Sequence, residues 1–225
     1  MTWTEQLVEP VREQFAAAAD PQRAVEMAAY MKDQARFHGI GAPVRQAIAR
    51  EVLAALATPT EADLHELARW CWARHEREWQ YLAVDTLVRF KRVCGQPTLE
   101  LSEELILHKS WWDTVDALAR NLVGPVGRGD PEARFLMDEW LDSGELWLAR
   151  AAILHQSMLK TDTDADWLFH ACLAHGADPR FFLRKAIGTA LRQYARTDAD
   201  AVRTFLAEHH HDLSPLSVKE AAKHL

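Results

Sequence analysis

Large aromatic residues recur along this chain at a nearly constant interval. The spacing is 33, 35 and 35 residues between Trp79, Trp112, Trp147 and Phe182. Basic residues keep the same period, with separations of 35 and 34, at Arg150, Lys185 and Lys219. A period of this length is typical of helical hairpins that bury their apolar faces against neighbouring hairpins. The sequence therefore predicts an all-α fold, an α-solenoid of stacked antiparallel helix pairs (HEAT-like repeats) with a concave groove.

Breaks between the expected helices favour the same fold class. Asp20 followed by Pro21 predicts an N-cap and the first turn of the second helix. Apolar spacing and Gly/Pro breaks predict further helices at residues 44–56, 61–74 and 76–90. The chain has only 9 Gly and 9 Pro in 225 residues, which leaves few tight turns for an all-β fold. No strand is predicted, and residues 1–225 are expected to form a single repeat domain.

Composition disfavours several functional classes. No apolar run approaches the roughly 20 residues that span a bilayer, and the N-terminus lacks a basic segment followed by an apolar one. We therefore expect a cytoplasmic protein without a membrane partner. Cys71, Cys94 and Cys172 have the spacing of neither a disulfide framework nor a zinc site. The His-rich residues 209–212 could chelate a metal, but a solvated helix end is the simpler interpretation, and no metal is predicted.

The charge distribution points to one region as an anion-binding surface. The net charge is −7, but residues 178–225 carry eight Lys/Arg against six Asp/Glu. Lys185, Thr189, Arg192 and Arg196 have the spacing i, i+4, i+7, i+11, which predicts one helix face. Their three cations, called the basic row below, can follow a phosphate backbone. An ordinary solvated helix face is the alternative.

The strongest candidate for a site is a short run of aromatic and acidic residues. In a helix, Trp111, Val115 and Leu118 share one face, which predicts a core stripe. Trp112 and Asp116 share another face. An indole and a carboxylate held together outside the core attract positive charge or a flat ring. The alternative is that Trp112 packs against a neighbouring helix and Asp116 makes a surface contact.

The repeat pattern predicts that these features converge. Trp112 with Asp116, Arg150 and the basic row all fall on the second helix of successive hairpins. Stacking of the hairpins would bring them into one groove. For Arg150, a buried structural role in the repeat is the alternative interpretation.

Three segments of the chain stand out together, at residues 109–116 (KSWWDTVD), 147–154 (WLARAAIL) and 181–188 (FFLRKAIG). In order and spacing they resemble the AlkD family of DNA alkylation repair glycosylases. The resemblance extends to residues 27–32 (MAAYMK), 191–197 (LRQYART) and 213–217 (LSPLS), and so it covers nearly the whole chain. On these segments the chain is identified as a member of that family.

The resemblance implies a base excision repair enzyme that hydrolyses the N-glycosidic bond of cationic N3- or N7-alkylpurines in duplex DNA, without extruding the base into a pocket. Asp116 matches the catalytic carboxylate, and Trp112 matches an aromatic residue that packs on the deoxyribose. Arg150 matches an arginine that holds the phosphate beside the lesion, and Tyr30 a tyrosine near the DNA. The DNA-binding set is completed by Thr189 and the basic row. No cofactor is implied, because a cationic leaving group needs only water, and a monomer is expected.

Thr189 departs from the family pattern. Catalytic members carry a second tryptophan there, which closes the other side of the sugar, and its loss should weaken stabilisation of the cation by about 1 kcal/mol. Thr189 motivates one alternative to a glycosylase, a DNA-binding paralogue without catalysis that recognises bent or branched duplex. The repeat architecture and the acidic net charge of −7 suggest another, a helical-repeat scaffold for protein partners, which would show no salt-dependent affinity for duplex.

Overall fold

The computed structural model describes residues 1–225, apart from the side chain of His224. The α-helices are α1 (Trp3–Ala18), α2 (Pro21–Tyr30), α3 (Ala42–Ala54), α4 (Glu61–Trp72), α5 (Arg77–Arg89), α6 (Gln96–Leu107), α7 (Trp112–Leu118), α8 (Gly124–Val126), α9 (Pro131–Asp142), α10 (Leu146–Leu154), α11 (Ala165–Ala174), α12 (Phe181–Tyr194), α13 (Ala199–His209) and α14 (Pro215–Ala221). A π-helical turn at Ala119–Val123 joins α7 to α8. The described chain contains no strand, only one isolated bridge between Arg36 and Glu76. The predicted all-α class is confirmed.

Helix boundaries follow the local capping chemistry. The side chain of Asp20 accepts a hydrogen bond from the Arg23 amide at 3.0 Å, which confirms the predicted N-cap of α2. Thr60 and Asp63 form a capping box at the start of α4. The predicted helices at 44–56, 61–74 and 76–90 correspond to α3, α4 and α5, with ends that differ by one or two residues.

The recurring aromatic residues occupy equivalent positions near the starts of four helices. Trp79, Trp112, Trp147 and Phe182 all lie within the first three residues of a helix, in α5, α7, α10 and α12 respectively. Each of these four helices directly follows another α-helix in the chain, namely α4, α6, α9 and α11, so the period in the sequence corresponds to a repeat in the order of the helices. Within the described residues, no helix is both long and apolar enough to cross a bilayer.

The chain divides into two compact units, residues 1–114 and 115–225, and the boundary falls inside α7. In the first unit, Val8, Val11 and Phe15, which recur at intervals of three and four residues along α1, are buried. The buried carboxylate of Glu78 accepts hydrogen bonds of 3.0–3.1 Å from three successive backbone amides of residues 38–40. These bonds satisfy a buried charge and fix the loop that precedes α3.

In the second unit, α12 packs closely on α14. A Cβ atom at Gly188 would lie 2.5 Å from the Glu220 Cβ and 2.8 Å from the Ser217 carbonyl oxygen. Only glycine leaves room for this approach. Ala186, Ile187 and Leu191 line the buried side of α12.

Charged pairs connect neighbouring repeats within each unit. Their sequence separations are 34 to 36 residues, close to the repeat period, in Arg69–Glu104, Arg77–Asp113, Asp116–Arg150 and Lys185–Glu220. Equivalent positions in stacked hairpins are spatial neighbours, so opposite charges one period apart can pair across the junction.

Candidate functional site

The first turn of α7 is fixed by a buried polar network in the first unit. The side chain of Arg77 is 2% exposed and donates to both oxygens of Asp113, at 3.0 and 2.6 Å. It also donates to the Lys109 carbonyl oxygen at 2.7 Å and to the Thr114 hydroxyl at 2.8 Å. Tyr81 donates its hydroxyl to Asp113 at 2.6 Å. Burial and the neighbouring Asp113 charge raise the pKa of Tyr81, so the phenol remains a donor.

This network gives Asp113 a structural role that the sequence reasoning missed. Both carboxylate oxygens of Asp113 are occupied by Arg77 and Tyr81. Of the two acidic residues in the segment 109–116, Asp116 is the one that does not join this network. A signal was present in the sequence, because Arg77 precedes Asp113 by 36 residues, about one repeat.

Two aromatic residues of the first unit form a partly exposed surface. Tyr30, the last residue of α2, is 71% exposed. Its ring lies 6.4 Å from the ring of Trp112, at an interplanar angle of 77°. This edge-to-face arrangement leaves aromatic surface available to a ligand. The two residues chosen for DNA contact from the N-terminal half of the chain thus adjoin each other.

Helix α7 separates its buried and its functional faces as the sequence predicted, with one exception. Val115 and Leu118 are fully buried, whereas Trp112 and Asp116, one helical turn apart, are both partly exposed. Trp111 lies before the first residue of the helix. Its assignment to the helical core stripe is therefore wrong, because the helix starts one residue later.

In the second unit, Asp116 and Arg150 form a bidentate ion pair. The Nε and Nη2 atoms of Arg150 donate to the two carboxylate oxygens of Asp116 at 2.7 and 2.8 Å. The Nη1 atom donates to the Phe182 carbonyl oxygen at 2.5 Å. The side chain of Arg150 is 6% exposed and that of Asp116 is 18% exposed. The carboxylate is held in one orientation while part of it faces solvent.

The basic row is organised by a buried acid on α14 that the sequence analysis did not single out. Glu220, whose side chain is 5% exposed, accepts from Lys185 at 2.6 Å and also pairs with Arg192. Lys223 donates to the same carboxylate at 2.8 Å. Three cations surround one anion, so the cluster keeps a positive charge. Burial, then Lys223, Arg192 and Arg150, lower the pKa of Lys185.

The four residues predicted on one face of α12 do not all lie on that helix. Lys185, Thr189 and Arg192 are partly exposed on α12. Arg196 lies beyond Tyr194, the last residue of α12, in the following turn, where it is exposed. The helical placement of Arg196 is therefore wrong. It is nevertheless close to the rest, because Arg196, after burial, lowers the pKa of Arg192.

The His-rich run forms a local contact. The Nδ1 atom of His209 lies 3.1 Å from Oδ2 of Asp212, and the ring centroids of His210 and His211 are 3.6 Å apart at an interplanar angle of 42°. Among the residues that the structure describes, no group of three or more His, Cys, Asp or Glu side chains could hold a metal ion.

Comparisons with known proteins agree with these features. A family model described as DNA alkylation repair enzyme matches residues 11–225. A solved structure described as "Predicted DNA alkylation repair enzyme from Enterococcus faecalis" is similar, with a TM-score of 0.84 and 31% sequence identity. That similarity covers 92% of this chain and 96% of the other. A search of curated proteins found no match.

Proposed function

Since the chain belongs to the family of DNA alkylation repair enzymes, we propose that it is a DNA glycosylase that hydrolyses the N-glycosidic bond of N3- or N7-alkylpurines in duplex DNA. The alkylated base carries a positive charge, so it leaves without protonation by a general acid. The protein must then stabilise the cationic sugar and position a water molecule. The base need not be drawn into a pocket for this chemistry.

Asp116 supplies the negative charge for the developing sugar cation. Each carboxylate oxygen has two acceptor positions, and Arg150 uses one on each oxygen. The remaining positions can accept a hydrogen bond from the attacking water and orient it toward the anomeric carbon. Because the ion pair fixes the carboxylate beforehand, little reorganisation accompanies the reaction.

Arg150 can serve both Asp116 and the DNA. A guanidinium has five N–H donors, and three are used by Asp116 and the Phe182 carbonyl. The remaining donors can contact the phosphate beside the lesion. Lys185, Arg192 and Arg196 would bind phosphates farther along the strand, and Thr189 lies between the first two on α12.

The aromatic residues Trp112 and Tyr30 of the first unit have proposed roles of their own. Trp112 precedes Asp116 by one turn of α7 and can pack its face on the deoxyribose, where it attracts the same positive charge. Tyr30 adjoins Trp112 edge-on and would contact the DNA beside it. The observation that carries the proposal is the bidentate pairing of Asp116 with Arg150 at a position that remains partly open to solvent.

The decisive experiment measures base release by an Asp116→Asn variant. We expect the parent to release 7-methylguanine or 3-methyladenine from methylated duplex under enzyme excess, and the variant to be slower by about 100-fold or more. Its affinity for DNA should stay nearly unchanged. Asp162→Asn, which removes an acid from an exposed ion pair with Arg128, is the matched control. Equal release by parent and Asp116→Asn would exclude the catalytic role.

Thr189 favours a second candidate, a DNA-binding protein that recognises bent or branched duplex without excising bases. It stands where the resemblance expects an aromatic residue, and it offers little π surface to a sugar cation. Incubation of excess protein with methylated genomic DNA separates the two functions. Salt-dependent binding without any free base would support this candidate over the glycosylase.

A further inference from the structure

A cavity of about 530 Å³ opens in the second unit beyond the end of the basic row. Its wall is largely polar and includes Arg120, Ser157, Lys160, Gln193, Tyr194 and Arg196. Arg120 comes from the π-helical turn after α7, and Ser157 and Lys160 from the turns after α10. Together with α12 and the turn that follows it, these segments contribute to the wall of this cavity, called the Arg120 cavity below.

The Arg120 cavity is lined by positive charge. Arg120, Lys160 and Arg196 all contribute to its wall, and none of the described lining residues is Asp or Glu. Tyr194 in the wall is within electrostatic reach of Asp198 and Asp166, because burial and then these two carboxylates raise its pKa. In a protein with a net charge of −7, such a concentration of cations favours an anionic ligand.

Two buried polar atoms in the wall lack a partner. Among the described residues, neither the Nε atom of Arg120 nor the hydroxyl of Ser157 has a hydrogen-bond partner. The Nη2 atom of Arg120 reaches only the sulfur of Met158, at 3.9 Å, and thioether sulfur is a weak acceptor. Buried donors are almost always paired in folded proteins. Arg120 and Ser157 therefore keep donors that no protein atom uses, and a rotation of either side chain would offer them to a ligand in the cavity.

The cavity continues the basic row. Burial lowers the pKa of Arg192, and Arg196 and Arg120 lower it further, so these guanidinium groups lie within electrostatic reach of one another. Guanidinium, hydroxyl and ammonium donors that converge from different directions match the oxygens of a phosphate group. The volume admits a phosphodiester with part of its sugar.

We propose that the Arg120 cavity binds a backbone phosphate of the DNA strand that follows Lys185, Arg192 and Arg196. This inference rests on DNA as the partner in the proposed function, but not on base release. It assigns Arg120, Ser157 and Lys160 to DNA binding, which neither the repeat period nor the resemblance indicated.

Lys160 offers a variant that separates binding from folding. Its φ is +55°, in the left-handed region that disfavours most side chains but is tolerated by asparagine. A Lys160→Asn change removes the charge and suits the backbone. The fold should be as stable as the parent or more so, while the affinity for DNA falls.

The test measures the affinity of the full chain for an undamaged duplex of about 20 base pairs between about 50 and 200 mM salt. For Arg120→Gln and for Lys160→Asn we expect an affinity about 8-fold lower at 0.1 M salt, and a salt slope smaller by about 0.9, the loss of one phosphate contact. Arg203→Gln removes a cation from an exposed ion pair with Asp200 on α13 and serves as the control. It should change the affinity less than about twofold.

Unchanged affinity and slope in both variants would overturn the inference. So would a result in which inorganic phosphate raises the melting temperature of the parent but not of Arg120→Gln, with equal DNA affinity, since the cavity would then hold a small free anion. Base release from methylated duplex at saturating protein is measured in parallel. A parent that binds DNA but releases no base contradicts the glycosylase proposal, while the salt slopes still decide the role of the cavity.

Discussion

The pairing of Asp116 with Arg150 leads to a quantitative prediction for an Arg150→Met variant. Methionine fills much of the volume but removes all hydrogen bonds to Asp116 and to the Phe182 carbonyl oxygen. Removal of one partner from a buried pair costs about 3–5 kcal/mol. Because the Asp116 side chain is 18% exposed, water can solvate part of the stranded charge, and we expect the lower end, about 3 kcal/mol. For a chain of this size the melting temperature should fall by about 6–12 °C.

A double-mutant cycle with Asp116→Leu tests the reasoning. Asp116→Leu alone leaves the Arg150 guanidinium buried without its counter-ion and should also be strongly destabilising. In the double variant the pair is replaced by two apolar side chains. We expect its loss of unfolding free energy to be about 2 kcal/mol smaller than the sum of the losses of the two single variants. Urea unfolding of the four proteins gives the coupling free energy. If the double variant loses the sum of the two single losses in unfolding free energy to within about 0.5 kcal/mol, the two side chains do not interact in solution.

Three further predictions concern other parts of the molecule. Thr189→Trp should speed base release under enzyme excess about fivefold, because an aromatic face contributes about 1 kcal/mol toward a cation. An unchanged rate would contradict the proposal that an aromatic residue at position 189 packs on the other side of the sugar. Arg77→Met should lower the free energy of unfolding in urea by about 3–5 kcal/mol because it strands the buried Asp113, whereas Arg69→Met, in an exposed pair, should cost under about 1 kcal/mol. Burial lowers the pKa of the His155 imidazole from its ordinary value of 6.5 to about 4 in the folded protein. Between pH 6.5 and 4 the unfolded chain therefore takes up a proton that the folded protein does not, and the free energy of unfolding falls as the pH is lowered. Urea midpoints should drop more steeply with acid for the parent than for His155→Gln, and equal slopes would contradict this.

The helical repeat could be predicted from the sequence because each hairpin buries the same apolar face. The aromatic residues near the helix starts and the buried stripe of α1 therefore follow from local spacing alone. The predictions for Trp111 and Arg196 were wrong for a related reason. Spacing on an ideal helix carries no information about the residue at which the helix begins or ends, and both residues lie just outside α7 and α12.

The partners of the candidate residues were harder to predict. Tyr30 was chosen through the family resemblance alone, whereas the helix face and the repeat period had already singled out Trp112, Asp116 and Arg150. In the structure Tyr30 contacts Trp112, and Asp116 pairs with Arg150. Glu220 was not chosen, because a single acid near the C-terminus looks like any surface residue. It follows Lys185 by 35 residues. A search for opposite charges one repeat apart would have found it.

Helix α2, which ends at Tyr30, is weakly packed against the rest of the first unit. None of its ten residues, all of which the structure describes, is buried, and Val25 is 70% exposed. Local opening of such an element requires little free energy, so amide protons of α2 should exchange with solvent sooner than those of α12. A ligand that packs on Tyr30 must order this helix and forfeits part of its binding energy in doing so. Slower amide hydrogen exchange in α2 would then show directly that DNA contacts Tyr30, even for a duplex that carries no lesion.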